Sequence, residues 1–227
     1  MLLTDTPPAV YAMQQFHAQF EPLQQGRAKM QADPWCMKRG TPMSWIHEHE
    51  EDTAQGEIAE LYERLRAERG RVSNILKVHS LRPTALGHHL DLYMGLLFGP
   101  GGLGRGQREM IAVVVSRAND CDYCVSHHRE ALARYVKDPQ QLDQLCTDYR
   151  RAELPDATRA ILDYADKLTR TPAEVREADV IRMREAGVAD EDVLLANLIT
   201  AYFNFVNRIA LGLGVAYNEE EIQGYKV

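Results

Sequence analysis

The chain has 227 residues, 45% hydrophobic and 26% charged, which suits one medium globular domain, or a domain with an appendage, and suffices to bury a core. Its formal charge of -7 argues against a nucleic-acid or anionic-membrane surface as the main business, and no apolar run reads as long enough to cross a bilayer. The opening MLLTDTPPAVYAMQQF lacks the regions of a signal peptide, and four cysteines are too few for a disulfide-stapled secreted scaffold, so the expected home is the cytoplasm.

Residues 1–42 hold TPP, EPLQQG, ADPW and RGTP with no sustained period, and read as a poorly structured N-terminal extension. Regular patterning begins at Met43, which sets the expected division into 1–42 and a helical domain over 43–227. Either Met43 is the native start, or the first segment is an arm that packs on a neighbouring subunit.

From Asp52 onward the punctuation is helical. Asp52 precedes a run in which Ile58, Leu61 and Leu65 recur at helical spacing. GPGGLGRG at 99–106 follows no predicted strand, so it fails as a dinucleotide loop and reads as a flexible link. MIAVVV at 110–115 has the β-branched content of a buried strand, but its helical flanks and the lack of a partner strand favour a buried helix. Asp138-Pro139 starts another helix, and Ile161, Ala165 and Leu168 make a further stripe. In TPAEVREADVIRMREAG, Thr171 reads as the cap, Pro172 as the first helical residue, Glu174 as the far side of a capping box and Gly187 as the left-handed stop. DVLLANLITAYFNFVNRIALGLG is a long apolar helix, with Asn204, Asn207 and Arg208 gathered on one face as an expected interhelical network. The fold class is all-α.

The chemistry concentrates in NDCDYCVSHHREAL, which packs two cysteines and two histidines into eight residues. Asn119-Asp120 breaks one helix and Asp120 reads as the cap of the next, with Cys121 in its first turn. Cys121, Cys124 and His128 then share a face, and His127 points away. A helix N-terminus stabilises a thiolate, a histidine one turn on can take or return a proton, and a second cysteine can capture a sulfenic acid. The helix argument by itself favours Cys121 as the lower-pKa thiol. Glu109, beside MIAVVV, reads by default as a solvated residue at a helix start. His79, His88 and His89 are weaker candidates for the border of a pocket, and Cys36 and Cys146 read as bystanders. HEHEE at 47–51 is not a metalloprotease motif, because Glu51 stands where a histidine is needed. Zinc on Cys121, Cys124 and His128 would need a fourth ligand such as His127, Glu109 or His79, and a knuckle in place of a continuous helix.

REMIAVVVSRANDCDYCVSHHREAL resembles the core of the alkylhydroperoxidase D-like (AhpD-like) family, within the carboxymuconolactone decarboxylase superfamily. Glu109 stands twelve residues before Cys121, and Cys124 and His128 complete Cys-x-x-Cys-x-x-x-His. MSWIHE, GRVSNILKVHSLRP and AYFNFVNRIALGLGV are similar to the peroxidase-related subgroup, and the likeness spans about residues 43–215. The resemblance implies an AhpD-like helical bundle in homo-trimers or homo-hexamers, and thiol-dependent reduction of a peroxide through a Cys121–Cys124 disulfide, in antioxidant defence. Cys124 would be the peroxidatic thiol, Cys121 the resolving one, His128 the proton relay and Glu109 its orienting base. The resemblance also implies a dithiol reductant, lipoylated or thioredoxin-like, and no cofactor beyond the cysteine pair. Some members carry a histidine inside the Cys-x-x-Cys, where this chain has Tyr123. The rivals are a carboxymuconolactone decarboxylase-like lyase, a general thiol–disulfide oxidoreductase or redox sensor, and a zinc-binding helical oligomer.

Overall fold

The computed structural model describes residues 43–222, so the expectations for residues 1–42, Cys36 included, lie outside the described residues. Among the described residues every regular element is helical: α1 (Glu57–Arg69), α2 (Asn74–Lys77), α3 (Pro83–Phe98), α4 (Arg105–Ala118), α5 (Asp122–Leu132), α6 (Pro139–Asp148), α7 (Asp156–Arg170), α8 (Glu177–Glu185), α9 (Asp190–Gly212) and α10 (Glu219–Ile222), with short 3-10 turns at Tyr149–Arg151 and Pro172–Glu174. The all-α expectation holds.

MIAVVV lies in the middle of α4, where Ile111, Ala112, Val113, Val114 and Val115 are all buried. A β-branched run tolerates a helix here because α5, α6, α7 and α9 pack around it, and burial of several such side chains, about 1.5–3 kcal/mol each, outweighs their propensity cost of tenths of a kcal/mol. α4 is therefore the axis of the main core. A second, smaller cluster joins Ile58, Tyr62 and Leu65 of α1 to Leu86 and Leu90 of α3.

Three helix starts differ from their sequence signals. α1 begins at Glu57, after Gly56 (φ 59), because Asp52 lies in a turn closed by Thr53 N–H on the Glu50 carbonyl at 3.3 Å. Thr171 and Pro172 open only a 3-10 turn; α8 starts afresh at Glu177, with Asp179 Oδ2 accepting from the Arg176 N–H at 2.8 Å. The stop at Gly187 (φ 89) is left-handed as expected. Asp138 caps α6 by accepting from Gln140 N–H at 2.9 Å. The third difference, at α5, belongs to the site.

α9 corrects the expectation about apolar runs, since by length and composition it suffices to cross a membrane. Here 44% of its apolar window is buried, and it packs on α4, α7 and α3. Its polar face is the expected interhelical network: Asn119 Nδ2 donates to Asn204 Oδ1 at 3.0 Å and Asn207 Oδ1 at 2.9 Å, and Asn207 Nδ2 donates to Ser116 Oγ at 3.1 Å. Arg208 caps the Asn204 carbonyl at 2.7 Å.

The glycine-rich segment before α4 is an anchor, not a flexible link. Asp192 Oδ1 accepts from Gly102 N–H at 2.8 Å and Leu103 N–H at 3.1 Å, while buried Arg108 donates to the carbonyls of Leu96, Gly99 and Leu103. A Cβ on Gly102 would meet Asp192 at 2.1 Å, so this approach requires glycine. The anchor sets where α4 begins, and hence where Arg105 and Glu109 stand.

Candidate active site

The turn from α4 into α5 reverses the chain through Asp120, a non-glycine residue at φ 54. Its left-handed conformation is held by Asp120 N–H on the Arg117 carbonyl at 3.1 Å, Cys121 N–H on the Ser116 carbonyl at 2.9 Å, and the Arg117 guanidinium 2.5 Å from Asp120 Oδ1. Asp120 thus turns the chain and does not cap α5; Cys121 takes the cap position and Cys124 lies in the first turn. The shift by one residue leaves Cys121, Cys124 and His128 on one side of α5, as the spacing requires.

Both cysteines are free thiols and buried, at 1% and 2% exposure. Cys124, through its neighbouring side chain and its backbone N–H, favours the charged form of Cys121, so Cys121 is pulled below the ordinary thiol value. The neighbouring Cys121 side chain, together with burial, pushes Cys124 well above it. Asn207 favours the charged form of both. Deprotonation of the pair therefore falls first on Cys121.

Glu109 is not solvated: it is wholly buried, and its Oε2 lies 2.6 Å from His128 Nδ1. Its other oxygen accepts from Arg105, one turn back on α4. Burial alone would raise the Glu109 carboxyl, but His128, Arg105 and Arg69 together hold it below the usual range. The Glu109 carboxylate accepts from His128 Nδ1–H, so when the imidazole carries that proton alone its Nε2 is left as an acceptor.

Cys124, His128, Glu109 and Arg105 line one cavity of ≈ 840 Å³, counted out to its open mouth, with Arg69, Tyr93, Tyr202, Phe203 and Val206. Cys121 is not part of that lining; it borders a separate depression with Trp45, Asp120, Gly214 and Tyr217. Trp45, 76% exposed, leans over Gly214 so closely that a Cβ there would lie 2.0 Å from its ring, and Trp45 N–H holds the Leu213 carbonyl at 2.8 Å. The two cysteines of one helical turn thus border different hollows.

The remaining candidates separate clearly. His127 stacks on Tyr123, with centroids 4.2 Å apart, and its Nδ1 donates to the Tyr123 carbonyl at 2.7 Å. Tyr123 itself is a brace: its hydroxyl accepts from Ile75 N–H at 3.0 Å and donates to Glu221 Oε1 at 2.6 Å. His89 lines the cavity, His79 hydrogen-bonds it from behind, and His88 is exposed. Cys146 is buried and raised by desolvation, away from the pair. Among the described residues no group of three or more His, Cys, Asp or Glu side chains is arranged to hold a metal ion.

Sequence reasoning missed Arg69, Arg105, Tyr93 and Tyr202. Arg69 is 6% exposed, donates to Tyr93 Oη at 3.0 Å, and lies 4.6 Å from the centroid of Phe98, whose ring Arg105 approaches at 3.8 Å. Two guanidinium groups thus act on the buried Glu109 carboxylate, and the lining as a whole sets Arg69, Arg71, Arg105 and Arg134 against Glu109 and Glu130, a positive surplus. Arg105 could have been found from its i, i+4 relation to Glu109; Arg69 and Tyr202 carry no local signal.

The Carboxymuconolactone decarboxylase family model matches residues 84–167. An uncharacterized peroxidase-related protein from Silicibacter sp. TM1040 is 32% identical, with a TM-score of 0.74 over 84% of this chain and 100% of that one. A second, from Ralstonia eutropha JMP134, described as an alkylhydroperoxidase AhpD core, is 34% identical, with a TM-score of 0.73 over 81% of this chain and 96% of that one. At 15% identity, the debrominase Bmp8 shares the fold, with a TM-score of 0.67 over 78% of this chain and 92% of that one. No curated protein matches the chain. The fold and the helical cysteine pair define a member of the carboxymuconolactone decarboxylase superfamily. Within it, the chain belongs to the AhpD-like family.

Proposed function

We propose that the protein is a thiol-dependent peroxidase that cycles through a Cys121–Cys124 disulfide, in antioxidant defence. The observation that carries this reading is the partition of the pair: Cys124 shares its cavity with His128 and Glu109, whereas Cys121 borders a separate depression. His128 Nε2 takes the Cys124 proton, and the Cys124 thiolate attacks the distal oxygen of ROOH. The O–O bond breaks, Cys124 becomes a sulfenic acid, and the proton on His128 passes to the leaving alkoxide to give ROH. Arg69 and Arg105 favour both anions electrostatically. The Cys121 thiolate then attacks the sulfenic sulfur and expels hydroxide.

The pKa order supports this division of labour. A low pKa on Cys121 looks wrong for a resolving residue only if both thiols are read alone. Taken as a pair, it means that Cys121 is the thiol that ionises more readily and so is suited to attack the sulfenic acid, while the Cys124 proton waits for His128.

The disulfide is reduced by a dithiol, lipoylated or thioredoxin-like, that approaches Cys121 from the depression beside Trp45. Such a cycle suits the cytoplasm. Leu194, Leu198 and Phe205, exposed at 58%, 42% and 49% along α9, supply an apolar stripe for a homo-trimer or homo-hexamer.

The test counts free thiols in reduced, metal-free Cys36→Ser/Cys146→Ser protein before and after one equivalent of cumene hydroperoxide. Rapid loss of two thiols, reversed by a dithiol, is expected. No loss over many minutes would sink the peroxidase reading and leave disulfide exchange or lyase chemistry.

A further inference from the structure

The peroxidase scheme accounts for His128 and Glu109 but leaves a buried polar chain in the same cavity unused. His79 Nδ1 lies 2.9 Å from the Ile75 carbonyl, His79 Nε2 lies 3.2 Å from His89 Nδ1, and His89 Nε2 lies 2.8 Å from Tyr202 Oη. A carbonyl oxygen only accepts, so His79 Nδ1 carries a proton. Burial lowers both imidazoles, His89 to about 3, so both are neutral and each carries one proton. His79 Nε2 is then an acceptor, His89 Nδ1 its donor, and His89 Nε2 an acceptor in turn. The one proton left to fill that bond is the Tyr202 hydroxyl proton.

The backbone carbonyl of Ile75 thereby sets the direction of every bond out to Tyr202. Tyr202 is 6% exposed and lines the cavity with Cys124, and among the described residues no group donates to its oxygen. Unlike His128, which alternates between acceptor and donor, Tyr202 cannot reverse without turning both imidazoles, which a carbonyl forbids. An acceptor on the cavity wall without a protein donor is left for a ligand, or for the water a ligand displaces.

We infer that Tyr202 is a substrate-binding residue whose oxygen accepts the O–H of a hydroperoxide, ROOH, a contact that a dialkyl peroxide, ROOR, cannot make. The inference rests on the proposed peroxidase chemistry and assigns its two oxygens. The distal oxygen, attacked by sulfur, keeps its hydrogen throughout and passes with it into the sulfenic acid. Tyr202 holds that hydrogen without removing it, while His128 serves the other oxygen, which leaves and needs a proton. Tyr93, Phe203 and Val206 provide the apolar wall for R.

Binding separates this inference from turnover. On a Cys124→Ala background, which removes the reacting sulfur and adds no donor, cumene hydroperoxide and cumyl methyl peroxide are titrated calorimetrically with and without Tyr202→Phe. Tyr202→Phe is expected to weaken the hydroperoxide about three- to tenfold, the worth of one hydrogen bond, and to leave the methyl peroxide unchanged. An unchanged methyl peroxide also shows that the cavity is intact. Equal losses for both ligands, or none for either, overturn the inference. Nitrogen chemical shifts of His89 provide the second measurement: a protonated Nδ1 and bare Nε2 are expected, and a proton on Nε2 overturns the inference. In the reacting enzyme, Tyr202→Phe should raise KM and keep the pH profile, whereas a displaced profile would make Tyr202 an acid. If the wild type consumes no peroxide while the binding contrast holds, the peroxidase reading fails and the acceptor role of Tyr202 stands.

Discussion

Cys121 and Cys124 lie one helical turn apart, are equally buried, and have opposite surroundings. On the Cys124 side stand a buried carboxylate, a histidine it orients, two guanidinium groups and the Tyr202 hydroxyl around an apolar-walled cavity. On the Cys121 side stand an exposed tryptophan, a glycine pressed against it, and the backbone of the loop after α9. Three residues of helix thus suffice to set one cysteine beside a cavity of charged and aromatic side chains and the other beside a separate depression.

The sharpest way to break this comparison is to remove one sulfur at a time. Cys124→Ser should reduce peroxide consumption to the uncatalysed background, whereas Cys121→Ser should complete one attack and then stall as a sulfenic acid that over-oxidises, visible by mass spectrometry. Wild-type turnover in both variants would refute the mechanism. Next in size is Glu109→Gln, which frees the His128 tautomer and leaves Arg69 and Arg105 without their carboxylate. A loss of about a hundredfold or more in kcat/KM is expected, as for a disabled acid–base group, and a loss below threefold would return Glu109 to a purely structural role.

A third test compares the thiols directly. With iodoacetamide, Cys121 should be alkylated at a pH below the ordinary thiol value of 9.0, and Cys124 only well above it, so site-resolved labelling at neutral pH should favour Cys121. Preferential labelling of Cys124 would reverse the charge assignment.

The smallest effect is on stability, through the chain behind Tyr202. His89 titrates near 3 in the fold against an ordinary 6.5, so between these values the unfolded chain binds more protons. Stability conferred by neutral His89 is full above 6.5 and falls as pH drops toward 3, by up to about 1.4 kcal/mol per pH unit. Urea midpoints measured at pH 7 and pH 5 should converge in His89→Gln. Glu109 adds to acid destabilisation only below its ordinary 4.5, because its carboxyl is held lower in the fold.

The sequence by itself determined the helical class, the long α9, the caps at Asp138 and Gly187, and the register of Cys121, Cys124 and His128. These follow from 3.6-residue periodicity and from local backbone chemistry, which act over a few residues. Glu109 was legible only as a spacing, twelve residues before Cys121, since nothing local says that a glutamate at a helix start turns inward. The restart of α8 at Glu177 was illegible because the capping signal at Thr171 was real but satisfied by a single 3-10 turn.

Tertiary structure decided what those elements face. The surplus charge of the cavity lining, the proton direction of Tyr202 and the separate hollows beside the two cysteines depend on α1, α3, α5 and α9 meeting at one place. Arg69 and Glu109 are 40 residues apart in the chain, and His89 and Tyr202 are 113 apart, yet each pair acts through a shared buried space. Local pattern encodes the period of an element, but hydrogen-bond direction and desolvation are properties of an enclosed volume, and only packing encloses it.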